Sequence, residues 1–262
     1  MEAIQIGSIY QVGKTHLKKK ILCQDRAVAV EKNELKIIIL SDGMGSYQYT
    51  DLGALFVIDY ILEKANAIYK LLDAQGFDDE GELIWAEADE GRTFAQNFFS
   101  ILLQMETEAK EYAKRIGTGI EQLHCTLSFV IVGADKVLAA AIGDSPIWIK
   151  RKSKEGINVI DGNDGAEEGT FSAMDLELSL NYMAVAVFPA SDLQAVLMMS
   201  DGCFGYDKEQ IYDPSAVKDF PDWFYAVIRG KRNLQDTINH LCKKGYDDCS
   251  FAYYLHAVTL EK

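Results

Sequence analysis

Four large aliphatic residues in succession, Ile37-Ile38-Ile39-Leu40, run directly into Ser41-Asp42-Gly43-Met44-Gly45. A strand that shows one face to water alternates apolar and polar residues; this one does not, so both of its faces must be covered. The chain therefore has to build layers on either side of a buried strand. It must also end that strand on a carboxylate beside glycines that let the backbone turn. Ser-Asp-Gly alone is a common turn. It recurs, however: residues 195–199 run into Ser200-Asp201-Gly202, and residues 137–142 run into Gly143-Asp144-Ser145. Asp247-Asp248 stands immediately before the apolar stretch 249–257. Turns do not need the same small acid at every central strand. A Mg2+ or Mn2+ site does, since those ions take several carboxylate, carbonyl and water oxygens.

Periodicity organises the rest. Residues 4–12 suit an opening strand, and 27–30 and 35–40 form a hairpin across Glu31-Lys32-Asn33-Glu34. His16 to Lys20 reads as a short, basic, solvated loop. From Asp51, apolar residues recur at three and four, which predicts a long amphipathic helix capped by Thr50 or Asp51. Residues 75–91, rich in glycine and acid, predict a variable loop with Leu83-Ile84-Trp85 tucked onto the core; a second helix then carries Phe94, Phe98, Met105 and Tyr112 on one stripe until Gly117-Thr118-Gly119. Strands follow at 124–132, 137–142 and 147–150, a short one at 157–160, a pair at 182–188 and 193–199, and a last one from 249. Short helices are expected at 207–217, 223–229 and 234–243. Strands joined by tight turns must be antiparallel neighbours. The whole suggests an α+β fold: a four-layer αββα sandwich of two mainly antiparallel sheets flanked by helices, residues 1–262 forming a single domain. In that arrangement the acids converge at one end of the sheets.

A net charge of −14 argues against nucleic acid or an anionic membrane as partner. Nothing resembles a secretory leader or a membrane-spanning run, and five scattered cysteines without a CxxC read as reduced thiols. A cytoplasmic monomer is the expectation.

Cys23-Gln24-Asp25, Ser41-Asp42-Gly43-Met44-Gly45, Gly143-Asp144-Ser145, Ser200-Asp201-Gly202 and Asp247-Asp248-Cys249-Ser250 resemble, in order, the signature blocks of the protein phosphatase 2C family. The closest likeness is to a bacterial branch in which a His, here His16, precedes the Cys-Gln-Asp block. The resemblance implies a serine/threonine phosphatase that uses two Mn2+ or Mg2+ ions, with a third held weakly, and no covalent enzyme intermediate; its partner would be a phosphorylated protein. It makes Asp42 the bridging ligand and the Gly43 carbonyl a further one. Asp201 and Asp247 become ligands of one ion, Asp25 the acid that holds metal-bound water, and Asp144 a ligand, with Asp201, of the third ion. Two ions of this kind lower the pKa of a shared water, orient it and neutralise phosphate oxygens, so no nucleophilic side chain is required.

There are departures. Lys20 stands where many relatives carry a phosphate-gripping Arg, and it lacks the bidentate fork. Gln24 replaces a common Glu, and Met44 replaces a His that serves some relatives as proton donor, which leaves His16 as a candidate donor. These changes favour an alternative, a catalytically weak relative that binds a phosphoprotein or signalling partner; the retained Asp25, Asp42, Asp201 and Asp247 oppose it.

Overall fold

The computed structural model describes residues 4–73, 76–77, 83–84, 87–163, 169–204, 220–229, 231, 233, 236 and 247–256. The fold is mixed, helices with one large antiparallel sheet. In chain order the strands are β1 (Ile4–Gln11), β2 (Arg26–Lys32), β3 (Leu35–Ser41), the short β4 (Gly76–Phe77) and β5 (Leu83–Ile84), β6 (Leu127–Val132), β7 (Lys136–Arg151), β8 (Ile157–Gly162), β9 (Ala184–Pro189), β10 (Leu193–Met199) and β11 (Cys249–His256). Among the described residues the α-helices are α1 (Lys14–Lys19), α2 (Thr50–Lys70), α3 (Glu87–Arg115), α4 (Leu176–Ser179) and α5 (Phe220–Ile228).

Nine strands join in the order β1-β11-β10-β7-β6-β3-β2, with β8 and β9 also bonded to β7. The two expected sheets are thus connected, because β7 is one strand of 16 residues rather than two separate ones. Its first half pairs with β6 and β9, its second with β10 and β8. Gly143 makes the passage possible: it adopts φ +91°, which an L side chain rarely tolerates, and the register slips between Gly143 and Ile147. Pro146 falls inside that slip, where no ladder hydrogen bond is demanded of it.

Apolar packing follows from the continuous runs. Ile38, Leu40 and Val130 from one half of the sheet share a cluster with Val196, Met198 and Ala252 from the other, so the halves face each other. On the reverse side of the first half, Ile37 and Ile39 pack with Val57, Ile58 and Ile61 of α2 and with Phe98 and Met105 of α3. Phe224 of α5 joins Trp148, Leu197 and Phe251 on the second half. Every residue of the Ile37–Leu40 run is fully buried.

Several local expectations are corrected. His16 lies in α1, and that helix stops at Lys20, whose left-handed φ of 57° closes it. Thr50 begins α2 without capping it; Tyr49 occupies the cap position and offers no side-chain bond. Residues 87–91, expected as loop, already belong to α3. β9 and β10 do not pair with each other: a 3-10 turn over Ala190–Asp192 carries the chain from one half of the sheet to the other, and each bonds a different half of β7. The hairpin of β2 and β3 turns where expected, at Asn33 and Glu34, both with positive φ as a two-residue turn of that kind requires. Trp85, Cys242, the helix expected at 207–217 and, save residue 236, that expected at 234–243 lie outside the described residues.

Gly53 decides one energetic sign. An exposed helical glycine gains about 1 kcal/mol on replacement by alanine. Here a Cβ would come 1.9 Å from the Leu123 carbonyl oxygen, a backbone atom that cannot step aside alone. Gly53→Ala is expected to lower unfolding free energy by about 2 kcal/mol in urea titrations, overpacking outweighing propensity; a neutral or stabilised variant would show that α2 does not press on the Leu123 turn.

Candidate metal centre

An antiparallel ladder sets the end of one strand beside the start of the next. Arg26 pairs with Ser41, so Asp25 before β2 and Asp42 after β3 meet at one edge. Leu127 pairs with Ile142, which brings Thr126 and Asp144 to the same edge. Met199 pairs with Phe251, which does the same for Asp201 after β10 and for Asp247 and Asp248 before β11. The edge opens into a cavity of about 460 Å3 lined by Asp42, Gly43, Thr126, Asp144, Asp201 and Asp247, among others. Four acids that sequence spacing singled out therefore border one space. Asp25, only 2 % exposed, lies behind them.

Hydrogen bonds hold the loops that carry these acids. The Asp42 amide donates to Thr126 Oγ1 at 2.9 Å, and the Thr126 amide returns a bond to the Asp42 carbonyl at 2.8 Å. Thr126 Oγ1 also lies 3.1 Å from Ser145 Oγ, which couples the Asp42 loop to the slip in β7. Thr170 Oγ1 donates to Asp144 Oδ2 at 2.6 Å. Ser200 Oγ accepts from the Ser250 amide at 2.9 Å, and the Ser200 amide donates to the Ser250 carbonyl, fixing the Asp201 and Asp247 loops to each other.

Asp248 is the buried anchor of the set. Its carboxylate accepts from the Gly13 amide at 2.7 Å and the Gln24 amide at 2.6 Å, and it contacts His16 Nδ1 at 2.9 Å. One side chain thereby ties the segments before α1, before β2 and before β11. His16, Asp247 and Asp248 offer ligand atoms within 4.8 Å of one another. Neither His16 nor Lys20 lines the cavity: His16 stands behind Asp247, held by Asp248, and Lys20 is exposed at the end of α1. Thr126, Thr170 and the anchoring use of Asp248 escaped the sequence reading. Thr126 precedes a buried strand at the acids' own edge, a placement that could have drawn notice; Thr170 carries no such signal.

The carboxyls crowd one another. Burial, then the Asp25, Asp201 and Asp144 charges, holds Asp42 well above the usual carboxylate range. Burial first, with Asp248 and Asp201 adding repulsion, pushes Asp25 up to about 7 although the Asp42 and Ser200 side chains pull the other way. Asp144 rises to about 6, through burial and then Asp201. Asp25 Oδ2 is buried with no hydrogen-bond partner. A Cβ on Gly43 would meet the Gln24 carbonyl and Thr50 Oγ1 at 2.8 Å, so the backbone here fits only glycine. Four carboxylates around the cavity, with hydroxyls and backbone carbonyls beside them and an orphaned Asp25 oxygen behind, suit a hard divalent cation bound through oxygen.

Fold and site together define a protein of helices and one large antiparallel sheet with an acid-lined cavity at the sheet's edge. The chain belongs to the protein phosphatase 2C family, whose model, Protein phosphatase 2C, matches residues 12–240. Among solved structures it is similar to a bacterial serine phosphatase, at 14 % identity over 98 % of both chains with a TM-score of 0.61. It is similar too to the serine/threonine phosphatase Stp1 from Staphylococcus aureus, at 13 % identity over 97 % of this chain and 95 % of that one, TM-score 0.60. The catalytic domain of the serine/threonine phosphatase PstP, in complex with two manganese ions, matches at 12 % identity over 96 % and 97 % of the two chains, TM-score 0.58. At such identities the likeness is one of fold. No curated protein matches the chain significantly. Family and fold support a phosphatase, and the family is metal-dependent.

The crowding fixes a sign for pH dependence. A carboxyl with a folded pKa above its unfolded value of about 3.9 keeps its proton longer in the native state, so stability falls as pH rises between the two values. With Asp25 at about 7 in the fold, the metal-free protein should unfold at progressively lower temperature from pH 5 to pH 7.5 in EDTA. Asp25→Asn should flatten that slope. A midpoint that climbs with pH, or a slope unchanged in the variant, would contradict the crowding.

Proposed function

We propose that the chain, acting as one domain over residues 1–262, hydrolyses phosphoserine and phosphothreonine in proteins with the help of two Mn2+ or Mg2+ ions. The observation that carries the reading is the convergence of Asp42, Asp144, Asp201 and Asp247 on one cavity with Asp25 behind it. When bound, such ions supply an activated water and positive charge for the phosphate oxygens. Asp42 would hold both ions, with the Gly43 carbonyl a further ligand, Asp201 and Asp247 would hold one of them, and Asp144 with Asp201 a third.

The remaining groups shape what these do. Thr126 fixes the main chain of Asp42, and Thr170 fixes one oxygen of Asp144, so that the carboxylates keep their direction as charge changes around them. Asp25, buried with an unpaired Oδ2, would hold a water of the metal centre through a hydrogen bond. His16 has Nδ1 engaged by Asp248, which leaves Nε2 as the atom it could offer to a leaving group. Lys20, exposed at the end of α1, would attract phosphate as a point charge without a bidentate grip. Among the described residues no helix is long and apolar enough to cross a membrane. The proposal includes a cytoplasmic setting, in which buried thiols such as Cys23 and Cys125 stay reduced. A binding protein without chemistry would have no use for so many converging acids.

Release of phosphate from a phosphothreonine peptide and from a small aryl phosphate tests this. Activity should require added Mn2+ or Mg2+, and Asp42→Asn should lower kcat on the order of 100-fold or more. Equal turnover in EDTA, or an Asp42→Asn variant as active as the parent, would overturn the proposal.

A further inference from the structure

A second cavity, about 200 Å3, opens where α2 meets α3 and shares no residue with the acid-lined one. From α2 it takes Phe56, Asp59, Tyr60 and Glu63, at helical spacings that put them on one side; from α3 it takes Glu108 and Tyr112, one turn apart. The rings form a continuous surface. Phe56 lies 6.4 Å from Tyr60 with planes 25° apart, and 5.4 Å from Tyr112 with planes 24° apart. Three carboxylates border that surface: Asp59, Glu63, which is paired with Lys64 at 2.8 Å, and Glu108, one oxygen of which accepts from Gln104 Nε2 at 2.9 Å.

Ring faces carry negative potential, and a cation within about 6 Å of a centroid is attracted to them, more strongly when carboxylates stand beside it. Cations of the chain itself already stand near these rings, Lys64 through its 2.8 Å pair with Glu63. Lys64 Nζ stands 5.4 Å from the Tyr60 centroid and Arg115 Cζ 5.9 Å from that of Tyr112, though neither side chain lines the cavity. Burial first, with Glu108 and Glu63 adding to it, pushes the Tyr60 hydroxyl up to about 12. Tyr60 Oη is engaged in a bond to the Ile101 carbonyl at 2.8 Å, so its ring is held in place.

We propose that this cavity receives one arginine side chain, presented by a protein partner on a segment that also carries apolar residues. Size supports a single side chain, since small-molecule sites usually begin at about 300 Å3. The planar guanidinium can stack on the rings while its edge meets Asp59 and Glu108. Leu55, 44 % exposed and lining the cavity, supplies apolar contact for the neighbouring residues of the segment. The proposal stands apart from the catalytic reading, because the two cavities have no residue in common.

Aromatic 13C NMR tests it, with the Tyr112 and Phe56 ring signals followed during titration. The probes are a short peptide with a central arginine and a leucine at each end, the same peptide with neutral citrulline, and N-acetylarginine amide. The arginine peptide should shift those signals saturably and bind at least about fivefold more tightly than the citrulline peptide. Glu108→Gln combined with Asp59→Asn should weaken it by a similar factor while the unfolding midpoint stays unchanged. Ring signals that do not move, equal binding of citrulline, or undiminished binding by the double variant would overturn the proposal. So would N-acetylarginine amide binding as tightly as the peptide, which would mean a free guanidinium ligand instead of a protein segment.

Discussion

The carboxyls of Asp25 and Asp42 stand side by side at one sheet edge, with Asp144, Asp201 and Asp247 around the cavity before them. Withdrawing such charges from water costs several kcal/mol for each ion left uncompensated. The fold accepts that cost because the strands leave it no alternative. Antiparallel pairing of β2 with β3, β6 with β7 and β10 with β11 sends all these residues to the same edge, and the buried runs behind them fix the register. Slipping any strand by one residue would turn its buried set to the wrong face, so hydrophobic burial holds the acids together against their repulsion.

Polar contacts then divide the work. Asp248 is fully engaged by two backbone amides and His16, which makes it an anchor. Its neighbour Asp247, one residue earlier, is exposed to the cavity. The same alternation gives Ser41 a buried bond to the Thr126 carbonyl while Asp42 faces outward. Adjacent residues at a strand end point to opposite sides, so one of each pair secures the loop and the other is left for chemistry.

Much of this was legible in the order of residues, for identifiable reasons. Ile37-Ile38-Ile39-Leu40 could only be a strand covered on both faces, and Glu31-Lys32-Asn33-Glu34 only a turn between strands that must then pair, though pairing carries β2 on through Lys32. Acids following or preceding such strands converge once the pairing is antiparallel. What escaped is what depends on distant partners. Gly143 and Pro146 read locally as a break, yet β8 bonds to β7 on both sides of the slip there. β9 and β10 look like a hairpin, but each finds a better partner in β7. Thr50 has the chemistry of a helix cap, and burial places it inside the helix instead. Thr170 reaches Asp144 across 26 residues, a pairing that no local pattern announces.

The most direct measurement is anomalous scattering from crystals of the protein grown with Mn2+. Two peaks about 3.5 to 4 Å apart should lie in the acid-lined cavity. Oxygens of Asp42 should fall within about 2 Å of both, and those of Asp201 and Asp247 within the same distance of one. Manganese bound elsewhere, or a cavity that stays free of it at millimolar concentration, would contradict the reading of this edge as a metal centre.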